Sequence, residues 1–135
     1  MDIESALRIS AAGMNVQGTR LRVVAENLAN RDSTGQTPGG DPYRRRTVTF
    51  ANRLDREIGA NTVRVSRVGT AQGEFPLRFD PSHPAANAQG YVRTPNVDSL
   101  VETMDMREAQ RSYSANLGVL EASRAMLTRT IEALR

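Results

Sequence analysis

Apolar side chains recur every seven residues along the last forty positions of the chain, 96–135. The stripe contains Met106, Tyr113, Leu117, Leu120, Leu127, Ile131 and Leu134. No proline follows Pro95, and Gly118 is the only glycine in this segment. The pattern predicts one helix with a single apolar stripe, roughly 55 Å long at about 1.5 Å per residue. A helix of this length is typical of coiled-coil or repeat packing.

A second pattern of the same period covers residues 2–30. Its apolar positions are Leu7, Met14, Leu21, Val24 and Leu28. Gly13 and Gly18 interrupt this segment, either as close-packing sites for another helix or as tolerated glycines. The two stripes predict an antiparallel coiled coil in which Leu7, Met14, Leu21 and Leu28 face Tyr113, Leu120 and Leu127.

Residues between the two helices predict a connector and a small unit of strands and loops, 31–95. Turn-forming residues fill positions 30–42, and short strands are predicted at 43–50, 62–68, 75–79 and 91–92. Ser99 and Glu102 fit a capping box at the start of the last helix, with Asn96 and Asp98 as alternative caps. The predicted fold is therefore mainly α with a small β region. Segments 1–30 and 96–135 form one helical domain, and 31–95 lies between them.

Composition argues against a large core, because only 4% of the residues are aromatic and the chain has no Trp. The net charge is +3, and every basic residue is Arg. The absence of Cys excludes disulfides and thiolate metal sites. The first thirty residues lack a continuous apolar region, so we expect no cleavable signal peptide. No segment approaches transmembrane length.

Enzymatic chemistry has little support in the sequence. His83 is the only His, and it stands beside Asp80 and Ser82 in a turn stiffened by Pro81 and Pro84. The members of a catalytic triad normally come from separate elements of the fold. We therefore expect His83 to be a histidine of a surface loop, and a hydrolase centred on it is the third function considered. A zinc site needs three or four ligands, and a chain with one His and no Cys is a poor source of them. The sequence also contains no nucleotide-binding motif. We therefore predict a protein that is not an enzyme, with no catalytic, cofactor or metal site.

Arg44, Arg45 and Arg46 form the sharpest basic cluster. A nucleic-acid adaptor that binds through this cluster is the alternative function, although no aromatic interleaving or recognition-helix pattern accompanies it. Three adjacent like charges repel one another unless carboxylates or water compensate them. We expect ion pairs between the cluster and the acids of a neighbouring subunit.

Two stretches resemble the signatures of bacterial flagellar axial proteins, the family of rod, hook and hook-associated subunits. The N-terminal signature is matched at Asn27, Leu28, Ala29, Asn30, Thr34 and Gly35. Glu26 replaces its first Asn, and the aromatic residue that usually follows the Gly comes only at Tyr43, as in a short rod member of the family. The C-terminal signature is matched at Asn96, Val97, Asp98, Glu102, Met104, Gln110, Arg111, Tyr113 and Asn116.

The resemblance implies a structural subunit of the flagellar rod rather than an enzyme. It implies helical assembly with copies of itself, with other rod proteins and with basal-body ring components, and the terminal helices would form a coiled coil that lines a tube. It also implies export through the flagellar type III apparatus without a cleaved signal, and a place in the basal body. Asn27, Asn30 and Thr34 are expected to end the first helix through side-chain to backbone hydrogen bonds, and Gln110 and Asn116 to bond neighbouring backbone.

Overall fold

The computed structural model describes residues 2–135 and contains two long helices with four strands between them. Helix α1 covers Ile3–Ala29 and helix α2 covers Ser99–Ala133. The strands are β1 at Arg46–Asp55, β2 at Ala60–Thr70, β3 at Leu77–Phe79 and β4 at Tyr91–Arg93. The predicted mainly α class with a small β region is confirmed. Within the described residues, neither helix is both long and apolar enough to cross a bilayer.

The four strands form two separate two-stranded sheets, β1–β2 and β3–β4. β1 and β2 are longer than the sequence predicts, because cross-strand pairing continues past the apolar residues that reveal a strand in the pattern. In the antiparallel β3–β4 sheet, Phe79 pairs with Tyr91 and Arg78 with Val92. Val92 is fully buried on one face of this sheet, and the Phe79 and Tyr91 rings meet edge to face on the other, with centroids 5.3 Å apart.

Helix α2 is capped by Asp98 and not by a capping box of Ser99 and Glu102. The Asp98 carboxylate accepts hydrogen bonds from the backbone N–H groups of Leu100 at 2.9 Å and of Val101 at 3.4 Å. The Glu102 side chain is fully buried and bonds elsewhere, so it cannot close the reciprocal half of a capping box. Asp98 is thus the N-cap of α2, for which the sequence offered three candidates.

The chain divides into two compact units, and each contains part of both helices and part of the middle segment. The first unit includes α1 up to Leu21, Val48–Arg67 and Arg107–Arg135. In it, a Cβ atom on Gly13 would lie 2.8 Å from Asn116 Nδ2, and Arg20 Nη2 lies 3.3 Å from Glu108 Oε2. From the first contact to the second, the position rises by seven residues in α1 and falls by eight residues in α2. The two helices therefore run side by side and antiparallel in this unit.

The second unit combines Arg22–Thr47 with Val68–Met106. Its buried residues include Val23, Val24, Asn27, Ala85, Val92 and Glu102. Two of these side chains are polar, although a small core would normally be apolar. This polar pair forms the centre of the candidate functional site.

Candidate functional site: the Asn27–Glu102 junction

Asn27 holds together three parts of the second unit. Its Nδ2 group donates to the Arg46 carbonyl at 3.0 Å and to Glu102 Oε2 at 3.3 Å. Its Oδ1 atom accepts from the Arg46 N–H at 2.9 Å and from the Tyr43 hydroxyl at 2.7 Å. Both amide donors and both acceptor sites are therefore used, as a buried amide requires. The side chain pairs with the Arg46 backbone much as a neighbouring strand would.

Glu102 is a fully buried carboxylate whose two oxygens face two different partners. Oε1 accepts a hydrogen bond from Arg45 Nε, and Oε2 accepts the bond from Asn27. Arg45 Nη2 also lies 3.7 Å from Asp105 Oδ2. A buried charge is tolerated when it is paired and hydrogen-bonded, and removing its partner is strongly destabilising. We call the set Tyr43, Asn27, Arg45, Arg46 and Glu102 the junction.

The arginine cluster has partners within its own chain. The expected ion pairs between the cluster and the acids of a neighbouring subunit stay a prediction. Arg45 pairs with Glu102 as above, and Arg46 Nη1 lies 2.7 Å from Glu26 Oε2. Arg44 Nη1 donates to the carbonyls of Ala71 and Gly73 at 3.0 Å each. The Arg44 guanidinium also lies over the Phe75 ring, 4.2 Å from its centroid.

The cluster therefore lacks the free guanidinium groups on which the nucleic-acid alternative depended. All three residues are half-buried, although the Arg46 side chain is 42% exposed, and each is held by a different part of its own unit. A phosphate backbone would have to compete with these internal carboxylates and carbonyls.

Tyr43 is the aromatic residue that follows the connector, and it reaches back to the signature asparagine. Burial raises the pKa of its hydroxyl, and the nearby negative charge of Glu26 raises it further. Both effects keep the phenol protonated, so that it can donate to Asn27 Oδ1. The long insertion between Gly35 and Tyr43 therefore still delivers an aromatic side chain to the junction.

The remaining N-terminal signature residues shape the turn after α1. Asn30 Nδ2 donates to the Glu26 carbonyl at 2.9 Å, the expected side-chain to backbone bond. Gly35 lets the backbone of Gly40 approach closely, because a Cβ atom at position 35 would lie 2.9 Å from the Gly40 carbonyl. Leu28 is half-buried and Ala29 is exposed at the end of the helix.

Thr34 does not make the backbone bond that the sequence predicts. Its hydroxyl instead lies 3.1 Å from Nε2 of His83. Nδ1 of the same ring accepts the Ala85 N–H at 3.0 Å, so Nε2 carries the proton of the neutral ring. His83 is thus half-buried and links two loops of the second unit, and it is not the free surface side chain that the sequence predicts.

The C-terminal signature supplies more of the support around the junction. Asn96 Oδ1 accepts the Arg45 N–H at 2.8 Å, directly beside the buried ion pair. Asn116 Nδ2 donates to the Ser112 carbonyl at 2.9 Å, as expected of a backbone bond. Val97 is half-buried, while Met104, Gln110 and Arg111 are exposed.

The apolar stripe residues differ in their burial. Val24 is buried, and a half-buried group contains Leu7, Met14, Leu21, Leu28, Met106, Tyr113 and Leu120. An exposed group contains Leu117, Leu127, Ile131 and Leu134. The most buried row of α2 is instead Glu102, Ala109 and Ser123, with the half-buried Asn116 in the same seven-residue spacing.

Sequence reasoning missed the pairing of Asn27, Glu102 and Arg45. A signal was available, because Glu102 begins a row of small and polar residues spaced seven apart, Ala109, Asn116 and Ser123. An acid at the head of such a row faces the partner helix and needs a buried donor.

Known proteins resemble this chain along almost its whole length. Residues 88–133 match the family model of the flagellar basal body rod FlgEFG protein C-terminal region. The flagellar basal-body rod protein FlgC of Agrobacterium fabrum is 49% identical, over 98% of this chain and 96% of that protein. FlgC of Bacillus subtilis is 37% identical, over 94% of this chain and 95% of that protein. FlgC of Salmonella typhimurium is 40% identical, over 91% of this chain and 91% of that protein. The chain therefore belongs to the family of the flagellar basal-body rod protein FlgC, whose members are structural proteins of the flagellar rod.

Proposed function

We propose that the chain is a subunit of the proximal rod, which assembles helically with other axial proteins into a torque-transmitting shaft and export channel. The observation that carries this proposal is the bare apolar surface of α2. Exposed large apolar side chains on this helix are Leu100, Val101, Met104, Leu117, Val119, Met126, Leu127 and Ile131, and Leu134 follows directly after its last residue. Such a surface on one chain indicates protein contacts that only an assembly can supply.

The terminal helices would form one antiparallel coiled-coil domain, with segment 31–95 between them in the sequence. The Gly13–Asn116 approach and the Arg20–Glu108 ion pair support this arrangement in the first unit. A two-helix pair has no closed core, so its outer stripes remain apolar until other subunits cover them. Leu120 and Leu21 would lie at the seam of the pair, whereas Leu127 and Ile131 would contact neighbours.

The junction suits a subunit whose work is mechanical. Asn27 belongs to α1, and Glu102 to the first turn of α2. Arg45 directly precedes β1, and Arg46 begins it. Side chains that hydrogen-bond all three elements fix their positions in the second unit. Torque applied to one terminal helix would therefore reach the other through buried polar contacts rather than through a flexible connector.

The partners proposed for the chain are further copies of itself, other rod proteins, basal-body ring components and the flagellar type III export apparatus. The relatives are named as basal-body rod proteins, which supports this place in the cell. Export would proceed without a cleaved signal peptide. No nucleic acid, cofactor or small-molecule substrate is proposed.

Substitution of Leu127 by Asp tests the proposal, because Leu127 is 41% exposed and can change without opening a core. The variant should keep the helix content of the wild-type monomer but fail to enter basal bodies, and the cells should lose motility. Thr128→Asp, at the exposed neighbouring position, is the matched control and should assemble. Normal rods and normal swimming with Leu127→Asp would contradict the proposed assembly surface.

A further inference from the structure

We propose that the end of α2 in one copy of the chain docks on the exposed face of the β3–β4 sheet in the next copy. The inference rests on the proposed function, because it assigns two surfaces to one contact between subunits. We define the sheet face as Leu77, Phe79 and Tyr91. We define the α2 end as Met126, Leu127 and Ile131 of the helix together with Leu134, which directly follows it.

The sheet face presents three exposed apolar side chains in the part of the chain that the structure describes. Leu77 is 62% exposed, Phe79 64% and Tyr91 42%. The antiparallel register places the three side chains on the same face, opposite the fully buried Val92. Two of the six aromatic rings of the chain thus lie on a surface that faces solvent in the single copy. Arg93 is the cross-strand partner of Leu77 and lies on the same face, where its ion pair with Asp41, at 2.8 Å, gives the apolar surface a polar edge.

The α2 end is the complementary element, because α1 does not reach it. Gly13 lies against Asn116, so the first residue of α1, Ile3, falls opposite about position 126 at the shared rise of about 1.5 Å per residue. The residues of α2 beyond that position have no α1 residue beside them. Leu127, Ile131 and Leu134 have the spacing i, i+4, i+7 and form one stripe along this overhang.

Charge selects a contact between unlike units of two copies. The first unit, which carries the α2 end, contains eleven Arg and seven acidic residues over 2–21, 48–67 and 107–135, a net charge of +4. The second unit, which carries the sheet face, contains seven Arg and eight acidic residues, a net charge of −1. Contact between two first units would bring like charges together, whereas a head-to-tail contact brings opposite charges together. A head-to-tail contact also repeats from copy to copy, as a rod requires.

Disulfide trapping tests this contact, since the chain has no Cys of its own. The double variant Leu77→Cys/Ile131→Cys should give a ladder of dimers, trimers and larger species when basal bodies of motile cells are oxidised. A mixture of the two single variants should give dimers only, and either single variant alone should give none. Leu54→Cys in place of Leu77→Cys is the matched control, because Leu54 is equally exposed, at 59%, but lies on β1. It should give no ladder.

Two results would overturn the docking contact and leave the rod role standing. One is the absence of any ladder while the double variant is present in the basal bodies and the cells swim. Another is disulfide dimers from either single variant alone, which would show a symmetric contact. Absence of the wild-type chain from isolated basal bodies would instead refute the proposed function itself.

A labelling measurement keeps the inference testable if the double variant fails to assemble. Leu77→Cys alone should react with a maleimide at least tenfold more slowly in basal bodies than in the free monomer, whereas the rate for Leu54→Cys should change less. Equal rates for Leu77→Cys in the two states would mean that the sheet face stays open, and the proposal would be wrong.

Discussion

Replacing Asn27 by Ala should destabilise the chain more than any other single change in the N-terminal signature. The substitution removes four hydrogen bonds, to the Arg46 N–H and carbonyl, the Tyr43 hydroxyl and Glu102 Oε2. A typical bond contributes about 1 kcal/mol net, and a buried group left without its partner costs about 1–3 kcal/mol. Because Asn27 is only 1% exposed, water cannot replace the lost partners without entering the core. We expect a loss of about 3–5 kcal/mol in the free energy of unfolding.

Asn30→Ala is the matched control for this experiment. Asn30 belongs to the same signature, but it is only half-buried. Its side chain bonds the Glu26 carbonyl and the Ser33 hydroxyl at the surface of the turn. Its loss should cost about 1 kcal/mol, because solvent can satisfy the groups that remain.

The assay is urea unfolding of the purified monomer, followed by circular dichroism at neutral pH. The unfolding midpoint of the Asn27 variant should fall well below that of the Asn30 variant. Equal and small losses for the two variants would show that the buried amide does not hold the three elements together. The mechanical role of the junction would then have no basis.

Three further predictions concern single substitutions, two of them compared as matched pairs. Tyr43→Phe should cost about 1 kcal/mol at neutral pH through its lost hydrogen bond. Burial and a nearby carboxylate raise the pKa of this hydroxyl in the folded chain. The extra stability of Tyr over Phe is therefore complete below about pH 10 and is lost as the pH rises through the folded pKa. Unfolding of both proteins at pH 8 and at pH 11 would reveal this loss. Gly18→Ala should stabilise the chain by about 0.5–1 kcal/mol, since a Cβ atom there meets nothing within 4 Å. Gly13→Ala should gain less or lose stability because its Cβ atom would press on a facing side chain at 2.8 Å, and equal thermal midpoints would contradict that close approach. Arg45→Gln should cost about 3–5 kcal/mol, because it removes the charged partner of a buried carboxylate. Arg46→Gln should cost at most about 1 kcal/mol, because the side chains of its ion pair with Glu26 are about 40% exposed. Denaturant midpoints in the reverse order would refute this ranking.

Much of the fold follows from periodicity alone. The seven-residue rows predict helices over 2–30 and 96–135, and α1 and α2 occupy Ile3–Ala29 and Ser99–Ala133. The alternation at Phe75, Leu77 and Phe79 indicates the strand that β3 partly fills. These elements are predictable because local hydrogen bonding fixes the repeat of a helix or strand, and the chain places apolar residues at that repeat. The paired signatures likewise indicate the flagellar rod family without a structure.

Only the tertiary structure decided which charges meet. The sequence shows three adjacent arginines, but their partners Glu26 and Glu102 lie about 20 and 57 residues away along the chain. A charge pattern reports how many carboxylates are available and not which of them folding brings within reach. The burial of Glu102 has the same origin, since a carboxylate at a helix start is normally a cap and becomes a core residue only when Asn27 and Arg45 converge on it. Periodicity identifies the apolar side of a helix, and the neighbouring elements determine which row on that side is buried most deeply.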